Sequence, residues 1–493
     1  MSAAGRSRGA EIRARLPHPL VDGDSHIVEY TPVLLDFLRD AGGSRAVERF
    51  ASAMGGAPFE GGARQSWYQM SWEERRHQRR MRGPWWALPT KNTLDRCTSM
   101  LPKLYHERMD DVGLDFAVLY PTLGLFFLHM NDDEFRPLAC HAFNEFAAAS
   151  YAEYGDRMTV AAVIPLHTPE EGIRELEHAR ALGLKVAMIP AYVRRPVPAL
   201  AQQHPELADR VTWLDSYGID SEYDYDPFWA KCVELGFPVA AHSAGMGFDD
   251  RRSISNYMYN HMGHFAAAGE VLCKSLLMGG VTRRFPKLRV ALLEGGVVNG
   301  CRLYSDILAR YEKRSLEAQA NLDPAHIDHA LARDLFQRYG DQRILARLDQ
   351  LDRTLDFGPA RIDAELRDDF AAMKLQSPEA LRDLFIPHFY FGCEADDALS
   401  VIAFDRRLHP FGAQVRAIMS FDLGHWDVTD MTEATAEAYE MVEEGLLDPE
   451  DFRRFGFGHA VQLYAGPNPD FFTGTIVEKQ AADELAAPTL GAL

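Results

Sequence analysis

The chain is 493 residues long, 47% hydrophobic and 25% charged, an ordinary globular composition that excludes disorder, collagen-like repeats and coiled coil and leaves one large domain or two to three smaller ones. Asp+Glu 72 against Lys+Arg 52 gives a formal charge of -20, which repels polyanions and gives no electrostatic footprint for nucleic acid or an anionic membrane. Six scattered cysteines (Cys97, Cys140, Cys232, Cys273, Cys301, Cys393) without a C-x-x-C pair read as reduced, buried thiols rather than a disulfide framework or zinc ribbon.

In chain order, Met1–Arg15 is polar and basic without the apolar stretch of a secretory signal. Residues 1–18 are therefore read as a flexible arm, and the protein as cytoplasmic. The first apolar run, Leu20–Asp24, leads into SHIVE. On an extended chain Asp24 and His26 face the same side, and Glu29 follows where it can join them as a ligand or cap a helix. Thr31–Leu114 is too long for a minimal crossover and is read as an insertion. Its Pro/Trp-rich Gly83–Pro89 segment offers Trp85 and Trp86 either to the mouth of a site or to packing. The run Phe116–Tyr120 comes next; the apolar stretch Phe116–Met130 around it is too short for a membrane span and contains Pro121 and Gly124. Thr159–Ile164, a helix over Pro169–Leu182, and Val186–Ile189 follow.

A helix over Phe228–Leu235 precedes the run Pro238–His242, which ends in an imidazole. NHMGH places His261 and His264 three residues apart, on one face if helical, ahead of a helix over Gly269–Met278. The run Arg289–Glu294 ends in a carboxylate followed by two glycines, where the backbone turns away beside room for a ligand. Cys301–Pro387, with charged helical sequence at Arg361–Met373, is a second insertion. Phe389–Cys393 and Arg416–Asp422 complete the set; the last run reads SFDLGHWD, with Asp422 at its end and His425, Trp426 and Asp427 in the loop. An acidic helix is expected at Thr432–Glu444.

Eight β-rich apolar runs separated by helical stretches predict an α/β protein, a (β/α)8 barrel of parallel strands buried on both faces. The expected domain spans 19–475, with insertions near 31–114 and 301–387 and a tail over 476–493. Ligand-type residues recur at the C-terminal ends of the runs, where such a barrel carries its active site. Asp24, His26, His242, Glu294 and Asp422 make an N/O donor set suited to Zn²⁺, Mn²⁺ or Fe²⁺. Glu29 and His261 are further candidate ligands, and Asp422, Glu294 and His264 are candidate acid–base groups. Tyr30, Trp85, Trp86 and Trp426 suit an apolar or ring-bearing substrate.

At these residues the sequence resembles the amidohydrolase superfamily, specifically the amidohydrolase-2 branch that includes aminocarboxymuconate-semialdehyde decarboxylase-like enzymes. The resemblance covers most of the chain. Its landmarks are Asp24-Ser25-His26, DDVGLDFAVLYPT (Asp110–Thr122), PVAAHSAG around His242, GGVTRRFPKLRVALLEGG (Gly279–Gly296), SFDLGHWD (Ser420–Asp427) and FGHAVQLYA (Phe457–Ala465). It implies metal ligation by Asp24, His26, His242 and Asp422. Departures are Asp24 for the family's first His, Glu294 where many relatives carry a catalytic His, SFDLGH for GSDxPH, and His459 for a frequent Asn. Lys185 stands at the start of the fourth run, not at its end, which speaks against a bridging carbamylated lysine.

The resemblance implies a hydrolase or non-oxidative decarboxylase acting on a small carboxylated, amide or ester substrate, through a metal-bound water or a metal-chelated carboxylate. Two alternatives are a dinuclear Fe or Mn/Fe oxygenase completed by Glu29, His261, His264 and Glu294, and a catalytically silent partner subunit. One or two divalent ions, a small-molecule substrate and a homo-oligomer are expected; nucleic acid and membrane are not.

Overall fold

A computed structural model describes residues 6–53, 67–82, 91–208, 210–242, 252–355 and 364–487. Its strands are β1 (Val21–Ile27), β2 (Phe116–Pro121), β3 (Met158–Val160), β4 (Ala162–Val163), β5 (Ala187–Pro190), β6 (Val193–Pro196), β7 (Thr212–Asp215), β8 (Val239–His242), β9 (Val290–Leu292), β10 (Phe389–Cys393) and β11 (Arg416–Met419). All of the expected apolar runs are strands. Each of β1, β2, β5, β8, β9 and β10 is buried along its whole length, as parallel strands sandwiched between core and helices must be.

Pairing is parallel in the orders β1-β2-β3 and β4-β5-β8-β9-β10-β11. The two groups meet at Ala161: β3 and β4 are one extended run whose first half pairs with β2 and whose second half pairs with β5, with Ala161 N donating to Leu119 O and Ala162 N to Val186 O. At the other side Ser25 bridges Leu423 in parallel, with His26 N donating to Leu423 O at 2.8 Å. The ring of the (β/α)8 barrel therefore closes between its first and last strands. The antiparallel β6–β7 hairpin, outside the ring, was not expected; it is held by Arg195 Nε on Asp215 Oδ2 at 2.6 Å.

Helices fall within a few residues of expectation at Pro169–Ala181, Asp226–Leu235, His264–Met278 and Met431–Glu443. In the stretch expected as the first insertion, Thr31–Ala53 is a helix, kinked at Gly42 and Gly43, that buries Leu34, Leu38 and Phe50. Trp85 and Trp86 lie outside the described residues. Where a second insertion was expected from Cys301, helix Val297–Arg314 runs straight through that residue and buries Leu303, Tyr304, Ile307 and Leu308. Within Arg361–Met373 the described part is a short helix over Ala364–Arg367 and a 3₁₀ turn over Ala371–Met373, not one helix.

Both chain ends depart from the expected flexible arm and tail. Arg8–Arg15 is a helix capped by Ser7, with Ile12 buried and Arg13 paired to Asp115. Its Gly9 lies against the loop at Gly113 so closely that a Cβ there would be 2.5 Å from Val112 O. Glu478–Ala486 is likewise helical, with Ala481 buried and Glu484 paired to Arg453. Among the described residues no helix is long and apolar enough to cross a membrane. All six cysteines are free thiols, Cys97 partly exposed and the other five buried.

Candidate metal centre

The site is built at the C-terminal ends of the barrel strands, and its first element is a bulge. The β1–β2 register shifts between Asp22 and Ser25, and Asp22 organises the extra residue. Its Oδ1 accepts from Asp24 N at 3.0 Å and Phe421 N at 3.1 Å, and its Oδ2 from Ser25 Oγ at 2.6 Å. Glycine at 23 leaves room for this close approach, since a Cβ there would stand a tight 3.1 Å from Met419 O and from Ile418 Cδ1. A bulge that re-aims a side chain beside an active site is a recurring device. Here it directs fully buried Asp24 and His26 to the barrel axis.

The other ends contribute His242 from β8, Glu294 just past β9 and Asp422 just past β11. Glu294 and Asp422 each adopt φ 56°, left-handed backbone that non-glycine residues rarely take and that clusters at functional sites. Asp422 N donates to Asp24 O at 2.8 Å, joining the last strand end to the first.

Around His26 Nε2 the contacts are Asp422 Oδ1 at 2.9 Å, Asp24 Oδ1 at 3.4 Å and Glu294 Oε1 at 3.6 Å, with His242 Nε2 at 3.3 Å. His242 Nε2 is 2.9 Å from Glu294 Oε1. The tautomers follow from the second ring nitrogens. His26 Nδ1 donates to the carbonyl of Pro121 at 3.2 Å, which leaves Nε2 an unprotonated acceptor in the neutral ring. His425 Nε2 lies 3.0 Å from Thr122 Oγ1, whose own proton goes to Ile27 O at 2.8 Å, so Nε2 carries the ring hydrogen and the bare Nδ1 faces Asp422 Oδ1 at 2.8 Å. The rings of His26 and His425 stack 3.8 Å apart.

Lone pairs of two imidazoles thus point at carboxylate oxygens. Among the described residues the centre's Asp24 Oδ1 and Asp422 Oδ1 are buried without a hydrogen bond. Unpaired buried polar groups are costly, and a cation resolves the arrangement. The donors fall into two overlapping groups, Asp24/His26/His242/Glu294 and His26/Glu294/Asp422/His425, each with its ligand atoms within 4.8 Å of one another. All are oxygen or imidazole, the donor set of a first-row divalent ion.

The electrostatics show the same crowding. Burial pushes the Asp24 carboxyl well above the usual range against the opposing pull of His26 and His242. Burial lowers His26, but Asp422, Glu294 and Asp24 outweigh it and hold the ring well above its ordinary value. Against burial, the protonated forms of His425 and His26 hold Asp422 well below the carboxylate range, so a positive charge, whether proton or cation, is what this carboxylate demands between itself and the two rings. Two more acids stand behind it: burial, and then Asp422, push Glu394 up to about 8 and Asp427 up to about 11.

Not every expected residue joins this centre. Glu29 turns to the backbone, accepting from Leu123 N at 2.9 Å and Gly124 N at 3.0 Å, the capping alternative. His261 lies at the rim, stacked on Tyr257 at 5.5 Å and 5.3 Å from Trp426. His264 is buried at the start of the following helix, 5.4 Å from Phe265, and outside both donor groups. Tyr30 is 53% exposed. His459 is structural, its Nδ1 on Ala417 O at 2.7 Å, and Lys185 donates to Phe471 O at 2.9 Å. His425 was visible in SFDLGHWD, but only the tautomer forced by Thr122 makes it a donor.

The profile of the family described as Amidohydrolase matches residues 100–345. Among solved structures the chain is similar to an amidohydrolase from Mycobacterium avium subsp. paratuberculosis, at 16% identity over 91% of this chain and 100% of that one, with a TM-score of 0.50. It is also similar to a dihydroxybenzoic acid decarboxylase from Polaromonas sp., with bound manganese and 2-nitroresorcinol, at 15% identity over 91% and 97% of the two chains and a TM-score of 0.46. A third is 5-carboxyvanillate decarboxylase from Novosphingobium aromaticivorans, at 15% identity over 92% and 97% of the chains and a TM-score of 0.44. With the profile match, the closed parallel barrel and the donors gathered at its C-terminal mouth, the chain belongs to the amidohydrolase family.

Proposed function

We propose that this protein is a divalent-metal-dependent hydrolase or non-oxidative decarboxylase of a small carbonyl- or carboxylate-bearing substrate. The observation that carries the reading is the pair of buried, unpaired carboxylate oxygens of Asp24 and Asp422, converging with His26, His242 and Glu294 at the barrel mouth. These residues would hold the ion, which when bound supplies Lewis-acid polarisation of a substrate oxygen and stabilises developing negative charge. Pro121 and Thr122 orient the His26 and His425 rings through their second nitrogens, as outer partners of ligating imidazoles do.

Asp422 is placed to accept the proton of an attacking water. Tyr257, His261, Phe265 and Trp426 form an aromatic rim suited to a ring-bearing substrate.

The same reading takes residues 19–475 as one barrel domain, in a cytoplasmic homo-oligomer without a nucleic-acid or membrane partner. The assembly is supported by helix His329–Tyr339. It has no buried residue, yet Leu331, Leu335, Phe336 and Tyr339 fall along one side of it and are exposed.

The test is a panel of aryl carboxylates, amides and esters, assayed for CO₂ release and for hydrolysis. Chelator-stripped protein is expected to be inactive and Mn²⁺ to restore it, while His242→Ala and Asp422→Asn lower kcat/KM at least ~100-fold. Turnover that survives stripping and both substitutions would overturn the assignment.

A further inference from the structure

We propose that the outer layer of the barrel carries a separate metal site, in which His141, Glu145 and His178 take one Zn²⁺ or Cu²⁺ ion and fasten two neighbouring helices together. The site shares no residue with the donors at the mouth and does not rest on the function proposed above. His141 and Glu145 belong to helix Phe135–Tyr151 and His178 to helix Pro169–Ala181. The four-residue spacing of the first two sets them on one face of their helix. Between the helices the rings of His141 and His178 stack 3.7 Å apart, tilted by 23°. One donor atom from each of the three residues lies within 4.8 Å of the other two.

The barrel itself orients the first imidazole. Val163 of β4 exchanges two hydrogen bonds with the Asn144 side chain, its N donating to Oδ1 at 2.8 Å and its O accepting from Nδ2 at 3.0 Å. Asn144 Nδ2 also donates to Glu175 Oε1 at 2.7 Å, and the other oxygen of Glu175 lies 3.4 Å from His141 Nδ1. A carboxylate accepts, so the ring hydrogen sits on Nδ1 and Nε2 is left bare, 3.7 Å from Glu145 Oε1. Neighbouring donors of a tetrahedral site with bonds of about 2.0–2.2 Å stand ~3.4 Å apart, so this pair is close to ligating distance as it stands. A carboxylate behind the ring is the usual outer partner of a ligating imidazole.

An ion pair within one helix would account for His141 and Glu145 alone. It does not account for His178, whose Nε2 is buried without a hydrogen bond, a cost that a bound ion removes. Two imidazoles and one carboxylate favour Zn²⁺ or Cu²⁺ over Mn²⁺. The His141 and Glu145 side chains are 41% and 37% exposed, which lets the ion enter from solvent and water fill the fourth position.

The test titrates the full-length protein with Zn²⁺, read by elemental analysis after dialysis and by amide exchange. His178→Gln and Glu145→Gln, which keep the side-chain bulk, are each expected to bind one Zn²⁺ per chain fewer than their parent, at unchanged circular dichroism. The same loss is expected whether the parent is wild type or the mouth variant His242→Ala/Asp422→Asn. In wild type, Zn²⁺ should slow amide exchange over residues 135–151 and 169–181 together, and in His178→Gln it should not. A Zn²⁺ count that neither substitution lowers overturns the site and leaves the centre at the mouth untouched. Exchange in wild type that Zn²⁺ does not slow in both helices overturns the cross-link.

Discussion

Glu294 carries a left-handed φ of 56°, while against burial His242 and His26 hold its carboxyl below the usual carboxylate range. Glycine at this position relieves the backbone strain but leaves the two imidazoles without their carboxylate. Glu294→Gly is therefore expected to change the stability of the metal-free protein by no more than ~1 kcal/mol by denaturant melts, while metal content and activity collapse. A stability loss above ~1 kcal/mol in the metal-free variant would show that Glu294 supports the fold.

Glu175, on the barrel's outer layer, offers a pH test. Burial pushes its carboxyl from 4.5 up to about 7, against the opposing effects of Asn144 and His141. The unfolded chain releases this proton near pH 4.5 and the folded chain holds it to about 7, so the residue's contribution to stability falls as pH rises through that window and is level above it. Glu175→Gln keeps an acceptor for Asn144 and has no proton to lose. At pH 8 it should be more stable than wild type by up to ~3 kcal/mol, and at pH 4 the difference should vanish. A difference that does not change with pH would refute the buried-acid reading.

At the scale of elements, the runs legible in the sequence are those whose whole length is apolar because both faces are covered, as in FAVLY of β2 and FYFGC of β10. The β6–β7 hairpin was not legible: VRRP and TWLD are short and half polar, and the pairing of Arg195 with Asp215 that helps hold them is made in three dimensions. The N-terminal helix was missed for a related reason. RGAEIRAR is too short and polar to hold alone, and it is fixed by Ile12, the Arg13–Asp115 pair and the contact of Gly9 with Val112 O. Gly9→Val should lift this helix. Amide exchange is then expected to accelerate over residues 8–15 alone, with barrel amides unchanged; unaltered exchange there would mean the glycine contact is dispensable.

For the whole molecule, the packing of helix His329–Tyr339 matters most, because none of its residues is buried in the single chain. If the exposed side bearing Leu335 and Phe336 is buried between copies, wild type sediments as an oligomer and Leu335→Glu/Phe336→Glu shifts it to monomer, with strand content unchanged by circular dichroism. A wild-type monomer, or an oligomer indifferent to both charges, removes this helix from the assembly.

The sequence by itself determined the barrel, because strands buried on both faces must be written as apolar runs, and it pointed to the C-terminal strand ends as the proposed site, because polar side chains interrupt the runs there. Asp24, His26, His242, Glu294 and Asp422 were legible on that ground. Tertiary structure alone decided which neighbours join them. Glu29 is drawn off by the amides of Leu123 and Gly124, His261 and His264 sit outside the donor groups, and His425 enters because Thr122, some 300 residues earlier in the chain, takes its other nitrogen. A ligand is defined by the direction of a lone pair, and that direction is set by contacts between segments that the linear chain does not bring together.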